Sequence, residues 1–152
     1  MMRVKQWLLL GLAALALAAC AGSAAVPGGG AAGEQIVCTA AYRPGVGTTQ
    51  MEEQTLTLAA PGAQESAVFA DLTLQASSIQ GEGEGGRALA LRVTPAGSAD
   101  PITAQLYQIA ANTAPLNQFV GGHGFTGLTY AYHPQSGAEL QFWCSAAPDG
   151  SG

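Results

Sequence analysis

Two histidines, three cysteines and a few aromatic side chains carry whatever chemistry this 152-residue chain can do. His123 lies in Gly121-Gly122-His123-Gly124-Phe125 and His133 directly precedes Pro134; imidazoles on a β-scaffold are good ligands for copper or zinc. A shared metal needs both rings within a few ångströms, yet ten residues of extended chain cover roughly 33 Å. Only a sharp fold at the glycines would bring them together. The expectation is a loop residue at His123 and a surface residue before a turn at His133, with a copper or zinc site at either as the alternative.

The cysteines divide by context. Cys38 alternates with Ile36 and Ala40, and Cys144 with Phe142 and Leu140, so each belongs to the apolar face of a strand. Neither has a Cys-x-x-Cys spacing or a neighbouring base, which argues against redox catalysis. In an oxidising compartment the two are expected to bond. The bridge would close a loop of about 107 residues, worth on the order of 4–5 kcal/mol in the chain-entropy model.

Hydrolytic chemistry finds no support. The chain contains no G-x-S-x-G and no H-E-x-x-H, and a P-loop is excluded because no lysine follows Lys5. Ser136 beside His133 reads as turn chemistry. Glu82 and Glu84, in Gly81-Glu82-Gly83-Glu84-Gly85-Gly86, read as a mobile, solvated acidic loop, since the calcium-loop pattern is missing. No cofactor is expected, and a binding or structural role is expected rather than an enzyme. Trp143 and Tyr107, if both point outward from their strands, would make a recognition surface for protein or glycan. Gly122, His123, Gly124 and Phe125 form the candidate ligand loop, because glycines there permit close backbone approach.

These residues need an address and a scaffold. Arg3 and Lys5 precede an uncharged run from Trp7 to Ala19. At 13 residues it is shorter than the roughly 20 that span a bilayer and fits the core of a signal peptide. It ends in Leu17-Ala18-Ala19-Cys20, which resembles the lipobox of bacterial lipoproteins. The resemblance implies removal of residues 1–19, a diacylglycerol on Cys20 as membrane anchor, and an extracytoplasmic location, at the outer membrane if the organism has one. Residues 20–33 then form a flexible Gly/Ala tether, 34–147 a single domain and 148–152 a disordered tail. Loss of Arg3 and Lys5 leaves three arginines against ten acids, a balance of −7. So acidic a surface argues against nucleic acid as a partner and against a basic membrane patch.

From Glu34 onward the hydrophobic period is two, which predicts strands at 34–42, 53–60, 66–75, 87–94, 102–110, 125–133 and 138–146. Pro134-Gln135-Ser136-Gly137 predicts a hairpin between the last two. Its inward face is expected to carry Leu128, Tyr130 and Tyr132 beside Leu140, Phe142 and Cys144. About seven strands without a helical stripe predict an all-β fold, an antiparallel sandwich or small barrel. The architecture resembles an immunoglobulin-like sandwich without that family's signature: the bridge would join the terminal strands, and Trp143, adjoining Cys144, points to the opposite face. The expected role is a lipid-anchored binding or envelope-structural module.

Overall fold

The alternation of apolar and polar residues resolves into two antiparallel sheets in a computed structural model that describes residues 35–111 and 113–147. The strands are β1 (Gln35–Arg43), β2 (Glu52–Leu58), β3 (Gln64–Val68), β4 (Leu72–Gln80), β5 (Arg87–Pro95), β6 (Thr103–Ile109), β7 (Thr129–Tyr132) and β8 (Glu139–Ala147). One sheet runs β2-β1-β8-β7, the other β3-β4-β5-β6. The fold is therefore a β-sandwich rather than a closed barrel. The lipobox resemblance, the tether and the tail fall outside the described residues.

Each strand turns its apolar set inward, as a period of two requires. Ile36, Leu58, Leu72, Leu74, Leu89, Leu91, Val93, Leu140 and Phe142 fill the space between the sheets, each at most 1 % exposed. Leu56 and Leu58 are buried while Thr55 and Thr57 face out, and Leu89, Leu91 and Val93 face in, as the alternation predicts. Cys38 and Cys144 lie opposite each other on β1 and β8 and are disulfide-bonded. The expected bridge between the first and last strands is present.

Eight strands stand among the described residues where seven were expected, because the stretch 66–75 is a hairpin. Ala67 and Phe69 point inward on one parity, Leu72 and Leu74 on the other. The chain reverses between them at Ala70-Asp71, closed by the Phe69 N–H donating to the Leu72 carbonyl at 2.9 Å. At this corner the Tyr42 and Phe69 rings stack at 5.0 Å across the two sheets, and the Tyr42 hydroxyl donates to Asp71 Oδ2 at 2.7 Å. The strand expected at 125–133 is also shorter. Gly124 and Gly127 adopt φ of +62° and +74°, which takes residues 125–128 out of the ladder.

Candidate functional site

The four-residue turn after His133 sets what β7 shows to solvent. Gly137, at φ +68°, donates its N–H to the His133 carbonyl at 3.0 Å, and the His133 N–H bonds the Ala138 carbonyl at 2.8 Å. Pairing from there places Tyr132 opposite Glu139, Ala131 opposite Leu140 and Tyr130 opposite Gln141. Ala131, not a tyrosine, fills the core at 3 % exposure, while Tyr130 and Tyr132 are 46 % and 56 % exposed. The inward placement expected for these tyrosines is thus reversed. A whole number of residues in the turn decides the parity of everything beyond it.

On the outer face of the β2-β1-β8-β7 sheet the two tyrosine rings stack with centroids 6.4 Å apart and planes 7° from parallel. A polar ribbon runs beside them. Arg43 Nη2 donates to Glu139 Oε2 at 2.6 Å, and Gln141 Nε2 donates to Glu139 Oε1 at 2.7 Å. These bonds, Gln141's first and Arg43's after it, hold the Glu139 carboxyl below the usual carboxylate range against the opposing effect of burial. Farther along β8, Trp143 stands opposite Thr39 on the same face, half-buried, with the His123 ring edge-on to it at 5.2 Å and 78°. The face thus presents Tyr132 and Tyr130 on β7 and Trp143 on β8, with His123 reaching over from the loop before β7.

The ligand loop is a latch over the edge of β8 rather than an open cradle. Strand β7 pairs with β8 only as far as Phe142. Beyond that the loop takes over: the Cys144 N–H donates to Thr126 Oγ1 at 2.7 Å, and the Phe125 N–H donates to the Cys144 carbonyl at 3.0 Å. Asn117 accepts from the Ala146 N–H at 3.0 Å and donates to its carbonyl at 2.8 Å. Gly124 is buried against this edge, where a Cβ would lie 2.0 Å from the Cys144 oxygen. No larger residue fits. Gly122 remains exposed, whereas Phe125 packs edge-on against Tyr107 at 6.2 Å.

Tyr107 does not share a face with Trp143. It sits on β6 of the other sheet, opposite Leu89 on the inward parity. Beside it a cavity of about 470 Å³ is lined by Tyr107, Ile109, Pro115, Leu116 and Phe125 among others. A second trough of about 510 Å³ crosses the outer face of the second sheet near Gln75, Ser77, Ala90 and Arg92.

Both histidines are engaged locally. His123 Nδ1 bonds the Val120 carbonyl at 3.0 Å, which requires the proton on that nitrogen. His133 Nδ1 accepts the N–H groups of Gln135 at 3.3 Å and Ser136 at 3.1 Å, so it caps the turn. One lies against Trp143 and the other beyond the start of β8, a separation along the strand of roughly 15 Å. Among the described residues no three of His, Cys, Asp and Glu converge as metal ligands. Glu82 and Glu84 lie in the β4–β5 loop, which is closed by the Gly81 N–H donating to the Gly86 carbonyl at 3.0 Å.

Sequence reasoning missed Tyr130 and Tyr132 as surface residues. The length of the Pro134–Gly137 turn was the signal that could have found them. Compared with protein-family models, with characterised proteins and with solved structures, the chain matches none.

Proposed function

We propose that this protein is a lipid-anchored, extracytoplasmic binding module whose partner seats on the outer face of the β2-β1-β8-β7 sheet. The observation that carries the reading is the exposed, stacked pair Tyr130 and Tyr132. Aromatic surface grouped on a rigid sheet, rather than scattered singly, is what interaction sites present. The flat rings accept apolar faces, and their hydroxyls, with Gln141 beside them, supply hydrogen bonds at the rim. A protein side chain or a sugar ring meets those requirements. Trp143 and His123 extend the face toward the middle of β8.

Support for the address is of two kinds. The Leu17–Cys20 tetrapeptide provides a lipid attachment site followed by an uncharged tether, and a disulfide between buried cysteines suits an oxidising compartment outside the cytosol.

The test uses Trp143 as reporter, since the other tryptophan, Trp7, precedes the proposed cleavage point. The mature chain is titrated with soluble envelope glycan oligomers and with peptides from envelope proteins while Trp143 emission is followed. The expected result is a saturable emission change with one of these probes that is lost in the Tyr130→Ser/Tyr132→Ser variant. Binding that survives this double substitution would place the site elsewhere and refute the reading.

A further inference from the structure

The two ends of the sandwich differ in a way that bears on how the module meets its membrane. Strand β1 begins at Gln35, paired with Ala147, and β2 finishes with Leu58 opposite Ile36. Strand β6 also terminates at this end, with Ile109 opposite Arg87. Fourteen residues, 21–34, separate Cys20 from Gln35. Fourteen residues reach at most about 50 Å whatever their conformation. A lipid on Cys20 therefore keeps this end near the bilayer.

The loop after β6 is held at the same end. Asn117 is bonded to Ala146, which lies opposite Ile36. From Asn117 the loop runs up the edge of β8 toward His123, exposing Leu116 at 75 % close to this end and Phe119 at 46 % and Val120 at 92 % farther along the edge. No Asp, Glu, Lys or Arg occurs between Asp100 and Glu139, so the loop itself carries no carboxylate, ammonium or guanidinium into an apolar phase. The opposite end also exposes Val46, Met51 and Val68, but its strand ends and turns carry Arg43, Glu52, Glu53 and Asp71 among them. The Phe119 N–H bond to the Gly124 carbonyl at 3.1 Å and the Asn117 pair fix the loop backbone. Little ordering then remains to oppose its burial in another phase.

We propose that the protein seats this end on the lipid surface by burying Leu116, Phe119 and Val120 in the bilayer interface. The proposal rests on the lipid-anchor reading and adds an apolar contact to it: the two acyl chains on Cys20 hold the module at the bilayer, and the contact fixes which way it faces. The seating is apolar rather than electrostatic. Glu82 and Glu84 in the β4–β5 loop at this same end outnumber Arg87 at the start of β5, and no lysine remains beyond Lys5, so anionic lipid repels it. Seated this way, the module carries Tyr132 and Glu139, at the other end of the sheet from Gln35 and Ala147, away from the bilayer.

The experiment reconstitutes the mature, lipid-modified chain on the outer surface of phosphatidylcholine vesicles with brominated acyl chains, which quench only fluorophores at bilayer depth. Phe119→Trp and Leu116→Trp each add one fluorophore to Trp143; the second variant guards against a folding defect from the first, since the Phe119 ring lies against Gly127. The added tryptophan is expected to lose about half its emission, as interfacial burial demands, and Trp143 in the parent chain, held behind His123 on the sheet face, is quenched less. Replacing part of the phosphatidylcholine with phosphatidylglycerol weakens the quenching at low salt, and added salt restores it. Quenching at 116 and 119 no greater than at Trp143, or deeper on phosphatidylglycerol, would overturn the proposal. A chain that floats with vesicles but shows no quenching refutes the seating alone, whereas one that does not float refutes the anchor as well.

Discussion

Cys38 and Cys144 face each other across the β1–β8 ladder with Cα atoms 4.0 Å apart, although 106 positions separate them in sequence. The bridge joins neighbours that the sheet already aligns, so its main effect falls on the unfolded chain, whose two ends it ties together. Replacing both residues (Cys38→Ala/Cys144→Ala) is expected to lower the unfolding free energy by about 2–5 kcal/mol and to leave the strand content at low denaturant unchanged. Urea unfolding followed by circular dichroism checks this. An unchanged midpoint would show that the bridge contributes nothing to stability.

The clasp between Tyr42 and Asp71 predicts an alkaline limb in the stability profile. Burial first, and the hydrogen bond to Asp71 second, push the Tyr42 phenol from 10.0 up to about 12. A raised folded value stabilises fully below the unfolded pKa and is lost as pH climbs through the folded one. The contribution of Tyr42 is therefore intact at pH 9 and gone above about pH 12. Thermal melts across that range are expected to fall more steeply for the parent than for Tyr42→Phe, which has no proton to lose. Equal slopes would contradict the assignment.

Glu139 predicts an acid limb of the opposite sign. Hydrogen bonds from Gln141 and Arg43 hold its carboxyl below the ordinary 4.5. The stabilisation is present above that ordinary value and disappears as pH falls through the lower folded one. Melting temperatures between pH 5 and pH 2 are expected to drop less in Glu139→Gln than in the parent, and the Tyr130–Tyr132 face beside it loosens as the carboxylate protonates. A variant with the parent's acid slope would remove Glu139 from this role.

Gly124 predicts a steric limit at the edge of β8. Its φ of +62° and the 2.0 Å approach of a hypothetical Cβ to the Cys144 oxygen leave no room for a methyl group. Gly124→Ala is expected to cost about 2–4 kcal/mol, from left-handed strain and overpacking together. Thr126→Val strands the buried Cys144 N–H that its hydroxyl now accepts and is expected to cost about 1–3 kcal/mol. Because His123 rests on Trp143, both losses are also expected to shift Trp143 emission in the folded state. Wild-type melting of Gly124→Ala would refute the packing described for the loop.

Fold class, core and bridge were legible in the sequence because they depend on alternation alone. Ile36, Cys38 and Ala40, or Leu89, Leu91 and Val93, have no other way to be buried together. What escaped was reversal without punctuation. The β3–β4 turn at Ala70-Asp71 contains neither glycine nor proline, and only the shift of inward parity between Phe69 and Leu72 betrays it. The tyrosines escaped because alternation with Leu128 aligns them with an apolar residue, whereas a four-residue turn starting at Pro134 places Tyr132 across from Glu139 and commits it to solvent. The latch made by Asn117 and Thr126 has no local signature at all. It arises because β7 stops short of Cys144, a tertiary circumstance that no window of sequence contains.

Site-specific photo-cross-linking in intact cells tests the central claim most directly. A photoreactive phenylalanine analogue is placed at position 132 and, in a separate chain, at position 75 on the outer face of the other sheet. A discrete adduct from position 132 that disappears with Tyr130→Ser, with none of the same mass from position 75, is the predicted result. Identical adducts from both positions, or none from position 132, would contradict a recognition face built on Tyr130 and Tyr132.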